Sequence, residues 1–360
     1  MAYGTVNVDA MTTSDGYTSA GTYGFKNRII NGAMVIDQRN AGASQSLSNG
    51  SGTYTLDRYR VFYDATSAVL TSQQVSTAPT GFNYSQKLTV STAGTISSGT
   101  NCTYMQFIEG YNFADMQWGT VNAKTVTLSF WVYSSVAGTF SVALSDNSSV
   151  SYVTTYTISS ANTWTQIILT IAGPTSGSWN TTNGVGLNLR WDLGCGSTVT
   201  TSSTNAWNSG TYYKATSSTS LITNNGATFY ITGVQLEKGS TATSFDYRPY
   251  GTELVLCQRY YQLVYPTAGN ATTSTIADMI VSCFTPMRAN ATLGQNGVLT
   301  VYDDQVGPYT QSSTSISPLG NANNVVNTIR LGNFSGLTTN RFLIGSPANP
   351  SNYVTLSAEL

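Results

Sequence analysis

Apolar side chains recur at every second position through the middle of this sequence, and that period of two limits what the chain can build. In the run from 126 to 134, Val126, Leu128, Phe130 and Val132 share one face. Phe140, Val142 and Leu144 repeat the pattern, and Leu187, Leu189 and Trp191 lie opposite Asn188, Arg190 and Asp192. Successive side chains of an extended strand point to opposite faces, so each run predicts a strand with one buried face and one solvated face. Clusters of Asn, Gly, Ser and Thr separate the runs and supply turn chemistry. Stacking two antiparallel sheets buries such faces, whereas a parallel α/β layer needs amphipathic helices that are missing between these runs. The expectation is an all-β protein: a jelly-roll β-sandwich over residues 57–246, then a short helix and a smaller C-terminal β domain. The short Gly-containing turn between the runs ending at Ser134 and starting at Gly138 predicts a hairpin.

Flanking segments complete the expected organisation. Residues 1–26 hold few large apolar side chains among many Gly, Ser and Thr, too few to close a core, and are read as an extended arm that orders against a partner. Residues 27–56 form a short β connector with a strand in the run Ala33–Asp37. At 247–360 come the junction helix and the C-terminal domain. Thr252 can cap a helix with Glu253 in its first turn, and Leu254, Cys257 and Tyr261 form one stripe, widened by Tyr260. The stretch from 233 to 263 concentrates charge in a chain that is 9% charged overall. Asp246, Arg248, Glu253, Arg259, Tyr260 and Tyr261 are therefore assigned to a domain junction, where guanidinium groups stack on rings or pair with carboxylates.

Composition removes several function classes. A length of 360 residues suggests two or three domains. With 15 basic and 16 acidic side chains and no basic run, the electrostatic footprint of a nucleic-acid binder is missing. The absence of histidine removes Ser-His-Asp and Cys-His mechanisms and the usual neutral-pH proton shuttle. Asp303 and Asp304 are adjacent acids in a polar turn and are read as turn residues. Cys102, Cys195, Cys257 and Cys283 lack metal-site spacing and are expected as buried free thiols. No motif for an enzyme, cofactor or metal emerges, and no apolar segment is long enough to span a membrane. The first residues lack the basic and apolar regions of a secretory signal.

Six tryptophans are a large supply for so polar a chain. Trp118, Trp179 and Trp207 fall in turn-rich loops, with Asn205, Asn208 and Tyr212 near Trp207. Two readings stand: rings that dock a sugar while amides fix its hydroxyls, or plugs that cover the ends of the sandwich. Trp131, Trp164 and Trp191 are expected in the core.

Several long blocks resemble a recurring group of bacteriophage virion proteins: NRIINGAMVIDQRNAG at 27–42, YTLDRY at 54–59, FYITGVQLEKGSTATSF at 229–245 and YRPYGTELVLCQRYY at 247–261. TPMRAN at 285–290 and SAEL at 357–360 extend the likeness, while Tyr59 stands where such proteins more often carry Trp. The resemblance implies a carbohydrate-binding-like jelly roll followed by a β domain, in a tail-fibre or other virion structural protein. It further implies a homotrimer, made in the host cytoplasm and carried on the particle. Its N-terminal arm would meet other tail or capsid proteins, and its surface would meet host polysaccharide. A capsid decoration or head-fibre protein and an exported carbohydrate-binding module are the alternatives.

Overall fold

In the computed structural model, which describes residues 26–146, 150–303, 308–322, 325–345 and 351–360, the alternating runs are strands whose apolar faces meet. The arm expected over 1–26 lies outside the described residues except for Lys26. The chain divides between Pro249 and Tyr250 into two units. Strands of the first are β1 (Gln45–Ser46), β2 (Ser51–Leu56), β3 (Tyr59–Asp64), β4 (Val69–Val75), β5 (Ser85–Thr92), β6 (Asn101–Glu109), β7 (Val126–Ser134) and β8 (Gly138–Ser145). They continue with β9 (Val150–Ile158), β10 (Thr165–Ile171), β11 (Val185–Asp192), β12 (Thr200–Thr201), β13 (Trp207–Ser209), β14 (Lys214–Ala215) and β15 (Thr228–Lys238).

Among the described residues a six-stranded sheet in the order β1-β4-β5-β15-β7-β10 faces a seven-stranded sheet in the order β13-β9-β8-β11-β6-β3-β2. The chain switches between the sheets repeatedly, and the pairings within both are antiparallel: a jelly-roll sandwich. Val126, Leu128, Phe130 and Val132 from one sheet and Leu187, Leu189 and Trp191 from the other fill a single core. Burying side chains of this size stabilises by about 1.5–3 kcal/mol each, the force that sets which face turns inward.

Three local expectations are corrected. The turn after Ser134 is not a hairpin, because β7 pairs with β10 and β15 while β8 pairs with β9 and β11. It carries the chain from one sheet to the other, so that Phe130 and Phe140 approach Tyr156 from the two layers, at 5.2 and 5.9 Å between ring centroids. No strand forms over Ala33–Asp37. Asn31, at φ 61°, donates to the Ile36 carbonyl at 2.8 Å and accepts from its N–H at 3.0 Å, closing a loop that inserts Met34 and Ile36 into buried positions. Gly32 makes this possible, since a Cβ there would sit 2.1 Å from the Val234 carbonyl oxygen. The sandwich accordingly begins at Gln45, ahead of Asp57. Third, Trp131 and Trp164 lie half-buried outside the core, on the outer side of the six-stranded sheet. There Trp164, Tyr133 and Tyr230 pack ring on ring. Trp191 is in the core as expected.

The second unit opens with α1 (Tyr250–Gln258), which buries Glu253, Cys257 and Gln258. It ends before Tyr260 and Tyr261, expected on its apolar stripe, because Tyr261–Val264 forms β16 instead. The remaining strands are β17 (Pro266–Ala271), β18 (Ala277–Val281), β19 (Thr292–Asn296), β20 (Thr300–Tyr302), β21 (Pro308–Thr310), β22 (Ile316–Ala322), β23 (Val325–Leu331), β24 (Phe342–Gly345) and β25 (Tyr353–Ser357). They make a three-stranded sheet, β16-β25-β19, and a seven-stranded one, β21-β20-β24-β17-β18-β23-β22, around Met279, Ile329, Leu343, Val354 and Leu356. One row across the larger sheet, Tyr302, Ile344, Ala268 and Ile280, is in register. Ile344 and Ile280 on it are 55% and 50% exposed. Among the described residues no helix is long and apolar enough to cross a membrane.

Candidate functional site

The three loop tryptophans come together. Trp118 is 5% exposed and contacts Trp179 and Trp207 edge to face, with ring centroids 4.9 and 5.1 Å away, while Phe113 closes the other side at 4.7 Å. Each indole N–H donates to a backbone carbonyl: Trp118 to Lys124 at 2.7 Å, Trp179 to Ser176 at 3.1 Å and Trp207 to Ala172 at 2.7 Å. Their ring faces are turned largely toward one another. Asn205 accepts from Thr154 Oγ1 at 2.6 Å, Asn208 donates to Ser203 and Ala206 carbonyls, and the Tyr212 N–H donates to Ser151 Oγ. These contacts hold the chain on either side of β13.

Junction residues separate between the two units. In the first, Arg248 donates to the carbonyls of Asn27 and Ile29 and lies 4.0 Å from Asp246, which accepts from the Asn27 N–H at 3.1 Å. In the second, Glu253 is buried on α1, Arg259 accepts the Arg288 N–H at 2.8 Å through its carbonyl, Tyr260 is fully buried, and Tyr261 begins β16.

A cleft of about 240 Å³ lies elsewhere, on the outer side of the seven-stranded sheet, lined by Arg60, Phe62, Asn101, Met105, Arg190 and Tyr213. Strand register builds it. Arg60 of β3 and Arg190 of β11 both pair with Met105 of β6, which puts them in one row, two strands apart. At the usual strand spacing their backbones are roughly 10 Å apart. The same alternation that buries Tyr59, Val61, Leu189 and Trp191 turns Arg60, Phe62 and Arg190 outward.

Segment 193–222 packs on β8 and β9 and reaches the cleft through Tyr213. It is fastened by Ala215 N–H to Ser141 Oγ at 2.9 Å, and buries Tyr213 and Ala215 against Ala143 and Val153. Asp192 anchors its start: the buried carboxylate accepts from Gly194 and Cys195 N–H groups at 2.9 and 2.8 Å and from Ser218 Oγ at 3.0 Å. Burial raises the pKa of Asp192, against the opposing pull of Lys214 and of these hydrogen bonds from Cys195 and Ser218. Lys214 is itself held by the Cys195 carbonyl at 2.9 Å and Ser220 Oγ at 3.0 Å. The segment thereby delivers the Tyr213 ring as one wall of the cleft.

Arginines and rings alternate along this row. Arg39 lies 4.9 Å from the Tyr54 ring centroid, and Arg60 lies 6.0, 5.9 and 5.9 Å from those of Tyr54, Phe62 and Phe107. Arg190 lies 5.8 Å from Phe107 and 4.4 Å from Tyr213. Cation–π attraction of this kind contributes about 0.5–2 kcal/mol per contact and orients the planar heads. Burial lowers the pKa of Arg190, the Tyr213 and Cys195 side chains oppose that, and neighbouring Arg60 adds to the lowering. An arginine remains protonated under such a shift.

None of the cleft residues was singled out for a site from sequence. The available signal was Arg190 on the solvated face of its strand, but its meeting with Arg60, 130 positions earlier, depends on β6 lying between them. No carboxylate lines the cleft, and among the described residues no group of three or more potential metal ligands is found. The four cysteines are free thiols, three buried and Cys283 half-buried.

No family model matches the chain, and no curated protein sequence matches it. Solved structures show only distant likeness. A carbohydrate-binding module, CBM4, is 16% identical over 58% of this chain and 98% of its own, with a TM-score of 0.29. The family 11 carbohydrate-binding module of a cellulosomal cellulase from Clostridium thermocellum is 12% identical over 56% of this chain and 99% of its own, at 0.27. The enzymatically active domain of bacteriophage CBA120 tailspike protein 4 is 13% identical over 59% of this chain and 22% of its own, at 0.26. The strand order given above, and not these likenesses, defines the architecture.

Proposed function

We propose that the protein is a non-enzymatic structural component of a bacteriophage virion, a tail-fibre-like or spike-like appendage whose sandwich holds a host-surface glycan in the cleft beside Tyr213. The observation that carries the binding role is the cleft itself: aromatic side chains and hydrogen-bond donors converge on one open recess, the combination that holds a sugar ring by its apolar face and its hydroxyls. With no carboxylate in its lining, the cleft offers no acid–base pair for glycoside cleavage. The virion assignment is supported by the resemblance of the blocks at 27–42, 54–59 and 229–261. Phe62 is half-buried, so Phe62→Ala is expected to leave the fold intact and to reduce adsorption to host envelope at least tenfold. Undiminished adsorption of this variant would remove the binding role from the cleft.

In the same reading the chain acts as a homotrimer, with residues 1–26 as the strap to tail or capsid proteins. The exposed row Tyr302, Ile344 and Ile280 supports self-association, since apolar rows on a soluble protein are commonly covered by another surface. Three copies on one appendage would raise weak single-site binding through effective concentration. Sedimentation of the full chain is expected to give a trimer, and removal of 1–26 to leave that trimer folded but unable to join particles. A monomer at micromolar concentration, or a truncated chain that still incorporates, would overturn the respective half. An architectural head decoration without receptor contact is the second reading; that same exposed row favours it, and Phe62→Ala would leave it untouched.

A further inference from the structure

The chain's other described arginines show what a guanidinium ordinarily does in this protein. Arg330 grips Asp278 with two bonds at 2.7 and 2.8 Å, Arg28 meets Asp115 at 2.8 Å, and Arg288 donates to the carbonyls of Ala358 and Glu359. Arg60 and Arg190 differ. Among the described residues neither guanidinium donates a hydrogen bond to the protein or meets a carboxylate at ion-pair distance; the Nε of each is buried without a partner, as in Arg28 and Arg248, but those two are bonded through their other nitrogens. Asp192, next on the same face of β11, has its oxygens committed to the covering segment. Both guanidiniums stand within 6 Å of the same Phe107 ring, so two like charges border one recess. An arrangement that juxtaposes positive charges and withholds their hydrogen bonds favours an occupant that brings negative charge and acceptor oxygens.

We infer that the occupant of the cleft is an acidic saccharide whose anionic group, a carboxylate or a phosphate, lies between Arg60 and Arg190; this rests on the reading of the cleft as a glycan site. Planar forks of N–H donors match both groups, and charge-assisted bonds to them are about twice as strong as neutral ones. The half-buried Phe62 ring stands beside them for the sugar's apolar face. Gly52 of β2 acts as a positioning residue for one fork: a Cβ there would fall 1.9 Å from Nε and Nη2 of Arg60, so only glycine lets that head lie where it does.

The test titrates the full chain by calorimetry with trigalacturonate, with mannose 6-phosphate and with neutral galactotriose, alongside an array of carboxylated, phosphorylated and neutral oligosaccharides. Binding is expected in an acidic class and not in the neutral one, weakening as salt is raised. The class that binds identifies the anionic group. Arg60→Gln and Arg190→Gln should each weaken it about tenfold or more, Arg60→Lys less, and Gly52→Ala should weaken it with melting temperature held. Neutral binders indifferent to both glutamine variants overturn the inference, as does acidic binding that survives them. If no acidic oligosaccharide binds although Phe62→Ala abolishes adsorption to cells, the acidic character alone falls. If Phe62→Ala changes nothing, the glycan reading beneath it falls first.

Discussion

Asp192→Ala is expected to cost the sandwich about 3–5 kcal/mol and to dismantle the cleft with it. The carboxylate accepts two hydrogen bonds from the start of segment 193–222 and one from Ser218 near its end. Each buried donor left without an acceptor costs about 1–3 kcal/mol, and the carboxylate's attraction for Lys214 is lost as well. The same segment carries Tyr213. Chemical denaturation should show the loss, and proteolysis should cut within 193–222 before the rest of the sandwich opens. Asp192→Asn keeps an acceptor oxygen and should remain within about 1–2 kcal/mol of the parent. A pH dependence separates the two forms. Because burial raises the native pKa of Asp192 above its unfolded value, this group's contribution is full below the ordinary carboxylate range and is lost as pH rises through the raised value. Asp192→Asn should erase that slope. An alanine variant as stable and protease-resistant as the parent would show that the segment is held by other contacts.

Trp118→Ala is expected to destabilise the sandwich by about 3–5 kcal/mol, the range for removing a large buried aromatic side chain. Trp118 is the hub of the cluster, touching Phe113, Trp179 and Trp207 and anchoring the Lys124 carbonyl. Truncation empties the space between three rings, two of which, Trp179 and Trp207, could fill it only by leaving their own hydrogen bonds. Trp179→Ala, at a half-buried position on the rim, should cost less. Equal losses, or a Trp118→Ala protein with unchanged melting temperature and abolished adsorption, would restore the ring to the role of a sugar platform.

Burial was legible wherever a rule of local geometry decides it. Alternation alone places Val126 to Val132, Phe140 to Leu144 and Leu187 to Trp191 inward, because the period of a strand is a property of its backbone. Partnership was not legible in the same way. Nothing between Ser134 and Gly138 says whether β8 returns beside β7 or crosses to the opposite layer; strands far along the chain decide it by occupying both edges of β7. The helix ended early for a comparable reason, since Tyr261–Val264 finds a strand partner in Val354–Ser357 that local propensity does not register. For the candidate site the contrast is sharper. The loop tryptophans were conspicuous one by one, yet their meeting makes them packing for each other. Arg60 and Arg190 are inconspicuous one by one, and only register through Met105 makes them a pair.

Strand β15 is laid between β5 and β7, and the backbone of residues 28–32 is hydrogen-bonded to Val234 and Leu236 of that same strand. Arg248, after it, holds the carbonyls of Asn27 and Ile29. A ribosome therefore delivers the closing piece of the six-stranded layer some two hundred residues after the segment it must lock. Until then β5 and β7 have open edges, and loop-closure entropy weighs against early pairing. Folding should thus be slow, late in synthesis and sensitive to chain concentration, with strand exchange between neighbouring copies as its characteristic hazard. Once shut, the same threading works in reverse: β5 and β7 cannot part without first withdrawing β15 from the middle of their sheet, a barrier that should make opening of this layer slow.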